Sequence, residues 1–227
     1  MSEIASTGFA IFLDLTMIVY TLWILSFGKA KNKFPADIGI GLLIWLGLLH
    51  VGLSSKSLFP DTISGPAFLV VVLLAVGAVG ALLLGIPSIR LRLLALDQKQ
   101  LLLMQGIRVI FGANFLMQAS LGGLPLVFGI LDGWTHIAAG FLGLIAAFSL
   151  ATHADGVRRA WFANLFGVAD ILVVASTLSL ILLPTLTPHH NMMYAVFLPA
   201  PLWLWFHMMS IWKLLNPDQV ALQEQQA

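Results

Sequence analysis

The stretch Gln105–Gly143, QGIRVIFGANFLMQASLGGLPLVFGILDGWTHIAAGFLG, decides the fold. It reads as two membrane-spanning helices joined by a short Gly/Pro turn, with Arg108 inside the first and His136 at the membrane boundary of the second. An arginine about eight residues inside an apolar segment is expensive in hydrocarbon, so it marks a bundle interior, a water-filled cavity or a functional site.

The rest of the chain has the composition that such a hairpin needs. Apolar residues make up 59% of the 227 residues and charged residues 9%, with a mean hydropathy of +0.98. A soluble domain carries about 25% charged residues, so this chain cannot clothe a water-facing surface, and lipid must be its solvent over most of its area. The net charge of +1 argues against nucleic acid as a partner, because phosphate neutralisation needs clustered Lys and Arg. With no cysteine, disulfides, thiolate-bound metals, iron–sulfur clusters and c-type haem attachment are excluded. The N-terminal MSEIASTGFAIF lacks the basic region and cleavage site of a signal peptide, so the first apolar segment is expected to be retained.

Apolar runs long enough to cross a bilayer cover 8–28, 37–54, 66–86, 101–121, 134–152, 161–183 and 193–214. The expected fold is therefore an all-α integral membrane bundle of seven transmembrane helices, one domain over 1–215, with a short polar tail over 216–227. Lys29, Lys31, Lys33, Arg90, Arg92, Lys99, Arg158, Arg159 and Lys213 all fall on one side, Lys56 falls on the other, and Arg108 lies within a span. The positive-inside rule then puts the N-terminus outside and the tail in the cytoplasm. Trp134 and Trp161 are expected to open helices at the headgroup level, and Trp212 to close one.

No GxGxxG, Walker, GxSxG or HExxH motif is present, which argues against a familiar enzyme. Lys213, at the very end of the last span, stands too shallow for a retinal Schiff base. Two polar layers remain. The inner one holds Arg108 and Asp170, each expected roughly 12–14 Å from the cytoplasmic end of its helix at 1.5 Å per residue, with His207 a little shallower. Gln105 shares the face of Arg108, and Asn164, Gly167 and Asp170 form an i, i+3 row. The spacing predicts an Arg108–Asp170 pair supported by Gln105, Asn164 and His207, which is either an interhelical pin or a ligand or ion site.

The outer layer holds His50, His136, His189 and His190, with Asp14, Asp132, Met192 and Met193 at comparable expected heights. Imidazole with carboxylate or thioether suits zinc, copper or haem iron, so His50 and His136 are the candidate metal ligands and haem b or copper the candidate cofactor.

Gln105, Arg108, Phe115-Leu116, Gly123-Leu124-Pro125, Phe128, Gly133, Gly140, Asn164, Gly167, Asp170, Pro199, Pro201 and His207 together resemble a group of functionally uncharacterised bacterial multi-span membrane proteins, over about residues 105–213. That pattern has an acidic residue where this chain has His136. The resemblance implies a bacterial inner-membrane protein with Arg108, Asp170 and His207 as family features. The expected function is a membrane protein that binds or passes a small solute or ion through a polar interior, or an accessory subunit packed against other membrane subunits. The alternative is a haem- or copper-binding redox protein using the outer histidines.

Overall fold

The computed structural model describes residues 3–27, 35–150, 154–183 and 185–217. Lys29, Lys31, Lys33 and the tail beyond 217 lie outside the described residues. Among the described residues the protein is all-helical: α1 (Glu3–Ser26), α2 (Ala36–Ser54), α3 (Gly65–Gly85), α4 (Pro87–Leu94), α5 (Gln98–Leu103), α6 (Arg108–Ser120), α7 (Leu126–Ser149), α8 (Gly156–Thr177), α9 (Met193–Phe197) and α10 (Pro199–Leu215). Seven segments are long and apolar enough to cross a membrane: Ala5–Ser26, Ala36–Ser54, Gly65–Gly85, Gln98–Ser120, Leu126–Ser149, Gly156–Leu182 and Met193–Leu215.

The helix starts follow local chemistry. Ser64 caps α3, its side chain accepting from the Ala67 N–H at 3.4 Å, with Pro66 in the first turn, where a missing N–H does no harm. Asp97 and Gln100 form a reciprocal capping box that opens the fourth span. The fifth span begins at Leu126, directly after Pro125, and not at the expected position 134. Asp132 and Gly133 look like loop residues in sequence, yet they lie inside α7 because a buried face receives them. Trp134 is consequently an exposed mid-helix residue and does not open a helix.

Three spans around the centre are irregular. A 3-10 turn over Met104–Ile107 precedes Arg108 in the fourth. A π turn over Leu178–Leu182 ends the sixth, the Leu183 N–H reaching back to the Leu178 carbonyl at 2.9 Å. The seventh breaks at Leu198 (φ −121°, ψ −69°), between α9 and Pro199. Pro201 has no N–H to offer the Phe197 carbonyl, and the Trp45 indole of the second span fills the vacancy at 2.9 Å. Irregular backbone is tolerated at membrane depth where neighbouring protein satisfies it in this way.

The fourth and fifth spans form the tightest hairpin. A Cβ on Gly133 would lie 2.9 Å from the Gly112 carbonyl oxygen, and one on Gly112 would strike the Gly133 carbonyl oxygen in turn. Two glycines face to face thus let α6 and α7 touch backbone to backbone, the close approach that substitutes for hydrophobic association in lipid. Span three is the outlier, with only 17% of its most apolar window buried.

Candidate functional site

Arg108 is fully buried on the first turn of α6, just after the 3-10 turn. Its Nη2 donates to Asp170 Oδ2 from α8. Its Nη1 reaches His207 Nε2 of α10 at 3.2 Å and the Gly167 carbonyl at 3.5 Å. The guanidinium also lies over the Trp203 ring, 5.3 Å from its centroid, in a dry setting where cation–π attraction is strongest. Gly167 is obligatory here: a Cβ at that position would overlap the His207 ring.

A guanidinium has donors only, so His207 Nε2 must be the acceptor and the imidazole proton must sit on Nδ1. Nδ1 then donates to Asn164 Oδ1 at 2.9 Å. With its oxygen so committed, Asn164 turns its amide nitrogen to Ser210 Oγ at 2.6 Å and the Ala160 carbonyl at 2.9 Å, and Gln98 donates to the same Ser210 oxygen. A chain of side chains therefore runs from Gln98 through Ser210, Asn164, His207 and Arg108 to Asp170. Gln105 is not part of it. Its amide reaches the Trp203 carbonyl at 3.4 Å, and neither the guanidinium nor the carboxylate is its partner.

On the far side of Asp170 stands α7. His136 Nδ1 lies 2.9 Å from Asp132 Oδ1 and 3.2 Å from Asp170 Oδ2. Asp132 is 1% exposed and His136 4%, so His136 belongs to the inner layer and not to the membrane boundary where it was expected. The earlier start of α7 is the reason. Neither Asp132 oxygen, nor Asp170 Oδ1, nor His136 Nδ1 makes a hydrogen bond. The ring packs edge-on against Phe115 at 5.4 Å and Trp203 at 5.5 Å between centroids.

His50 and His136 have separate partners. His50 Nδ1 is 2.6 Å from the Tyr194 hydroxyl and 3.3 Å from Ser54 Oγ. His190 is held at both ring nitrogens, Nε2 donating to the Gly123 carbonyl at 3.0 Å and Nδ1 accepting from the Met192 N–H at 3.2 Å. The cluster of metal-capable groups found among the described residues is Asp132, His136 and Asp170, without His50. The pairing of His50 with His136 around haem or copper thus has no shared site behind it.

Above this layer a mouth opens between the ends of spans one, two, four and seven. Two cavities of about 450 and 620 Å³ share Thr7, Lys56, His189 and Asn191. Below them Asn191, Gln118 and Tyr194 also line a small cavity of about 10 Å³, roughly one water. Asp14 of α1 points into it, fully buried, with neither oxygen hydrogen-bonded. Phe111 and Phe115 wall the same cavity and, on their other sides, pack against Trp203 and His136. Asp14 and Asp132 are the site residues that sequence reasoning under-weighted. Their signal was present in two carboxylates, Asp14 inside an apolar run and Asp132 just ahead of one, but expected depth alone could not join them to the inner layer.

No curated protein and no solved structure matches the chain. Residues 66–215, which include Arg108, Asp132, His136, Asn164, Asp170 and His207 but not Asp14 or His50, match the model of a domain of unknown function (DUF8737). The chain belongs to that family.

Proposed function

We propose that this protein binds a small cation in its polar interior and passes it to or from the mouth above Asp14. Charge imbalance carries the reading. Among the described residues Asp14, Asp132 and Asp170 are buried carboxylates, while the buried cations are Arg108 and Lys213. Lys213 sits in the last turn of α10 and donates to the Leu94 carbonyl at 2.9 Å, away from the centre. A charge inside a membrane costs about 2.5–3.5 kcal/mol even on the gentler insertion scale. A bundle needing only a register pin would stop at Arg108–Asp170, and a bound cation offsets the remaining negative charge.

Liposomes holding the purified protein are expected to pass Na⁺, K⁺ or Mn²⁺ at least tenfold faster than protein-free vesicles under an imposed gradient. Asp14→Asn keeps the shape, removes the charge and should abolish most of that flux. Protein-free rates for all three ions would overturn passage.

The resemblance supports a bacterial inner membrane, and the lopsided basic residues support the mouth and N-terminus outside with the tail in the cytoplasm. Single cysteines at Thr62 and Asn191 should then react with an impermeant thiol reagent added to intact cells, and one at Lys31 should not. Labelling at position 31 would reverse the orientation. The thin packing of span three favours a second reading, an accessory subunit whose third helix meets another membrane chain. Stoichiometric recovery of that chain after mild extraction would support it.

A further inference from the structure

We propose that Asp132, His136 and Asp170 form a binding site for a divalent first-row transition-metal ion. This rests on the cation-binding reading above and names the class of ion. The three ligand atoms lie within 4.8 Å of one another, on residues no more than 6% exposed. Asp132 and His136 stand one helical turn apart on α7, so they converge without any loop to order. Asp170 arrives from α8, the next span.

The geometry separates a metal from an ordinary ion pair. The imidazole Nδ1 is close to both carboxylates but makes no hydrogen bond to either, so a proton there would point at neither oxygen. Adjacent ligands around an ion with bonds near 2.0–2.1 Å are about 2.9–3.4 Å apart in tetrahedral or octahedral geometry. The separations of 2.9 and 3.2 Å fit the edges of such a polyhedron. The 3.2 Å edge runs to Asp170 Oδ2, which accepts from Arg108 and keeps a second lone pair for a metal, while Oδ1 has no partner. Arg108 is then a positioning residue that orients a ligand from behind, as outer-shell partners do in metal sites.

One imidazole with two carboxylates suits Zn²⁺, Mn²⁺ or Fe²⁺, and the lack of sulfur disfavours Cu(I). Three protein ligands leave coordination positions open. The Phe115 and Trp203 rings against His136 keep bulk water from filling the surroundings.

The test uses the full chain, purified in detergent and stripped with chelator. Mn²⁺ titration followed by electron paramagnetic resonance should find one ion per chain, displaced by Zn²⁺, with a nitrogen coupling from the imidazole. Asp132→Asn should weaken binding at least tenfold, and His136→Gln should remove the nitrogen coupling while thermal melting shows both variants folded. Should either variant fail to fold, the nitrogen coupling of the wild-type protein decides. No bound Mn²⁺ or Zn²⁺ on folded wild-type protein, or affinity unchanged in folded Asp132→Asn, overturns the site. Metal bound without flux keeps the site and removes passage. Flux of Na⁺ or K⁺ without Mn²⁺ or Zn²⁺ binding does the reverse.

Discussion

Arg108→Ala alone is expected to destabilise the bundle by about 3–5 kcal/mol, because it strands a charge in the interior. Asp170 loses its guanidinium, His207 Nε2 loses its donor, and Trp203 loses the cation over its face. Asp170→Ala should cost a comparable amount for the mirror reason, leaving Arg108 with a neutral imidazole and one carbonyl. The double replacement Arg108→Met with Asp170→Leu removes both charges and keeps apolar volume. It should recover most of the loss, short of about 1–3 kcal/mol for the unpartnered His207 acceptor. Unfolding titrations in mixed micelles read all four corners of this cycle, and the coupling energy should be large and favourable. A double variant no more stable than either single one would mean that the pair is not what these charges depend on. Cation binding should stay lost in the stable double variant, since Asp170 is gone.

The second large effect comes from the α6–α7 contact. Gly112→Ala should cost about 1–3 kcal/mol, the range for forced overpacking, although alanine is the better helix former by about 0.8–1.0 kcal/mol. The new methyl meets the Gly133 carbonyl and Ile137, and backbone cannot rotate away as a side-chain tip can. Gly77→Ala is the control: nothing lies within 4 Å of a Cβ there, so helix propensity should make it neutral or slightly stabilising. Equal effects at the two positions would refute the packing argument. Separating α6 from α7 would also draw Asp132 and His136 away from Arg108 and Asp170, so ion affinity should fall together with stability.

These glycines show what could be read in the chain and what could not. Seven apolar runs are legible because hydrocarbon thickness demands a length that few other constraints produce. Arg108 and Asp170 stand out as candidates because a charge inside such a run is rare and their expected depths agree. The start of α7 is not legible, since Asp132-Gly133-Trp134 has the composition of an interfacial turn. Only the backbone contact with Gly112 and the buried charges opposite make it helix. That one displacement carried His136 from the rim into the centre and set it beside Asp132. Gln105 misled for a different reason. Its spacing from Arg108 is right for a shared face, but a carbonyl on the seventh span competes for its amide. Pro199 and Pro201 mark the break in the seventh helix, whereas no local pattern announces the π turn, the 3-10 turn or the Trp45 indole that satisfies the Phe197 carbonyl.

The chain of side chains from Gln98 to Asp170 has a bearing on bioenergetics. Ser210 and His207 could exchange donor and acceptor roles, but the Asn164 amide between them has fixed ones and the Arg108 guanidinium can only donate. Arg108 is therefore an insulator spliced into the wire. A membrane that stores energy as a proton gradient can hold this protein without a short circuit through that route.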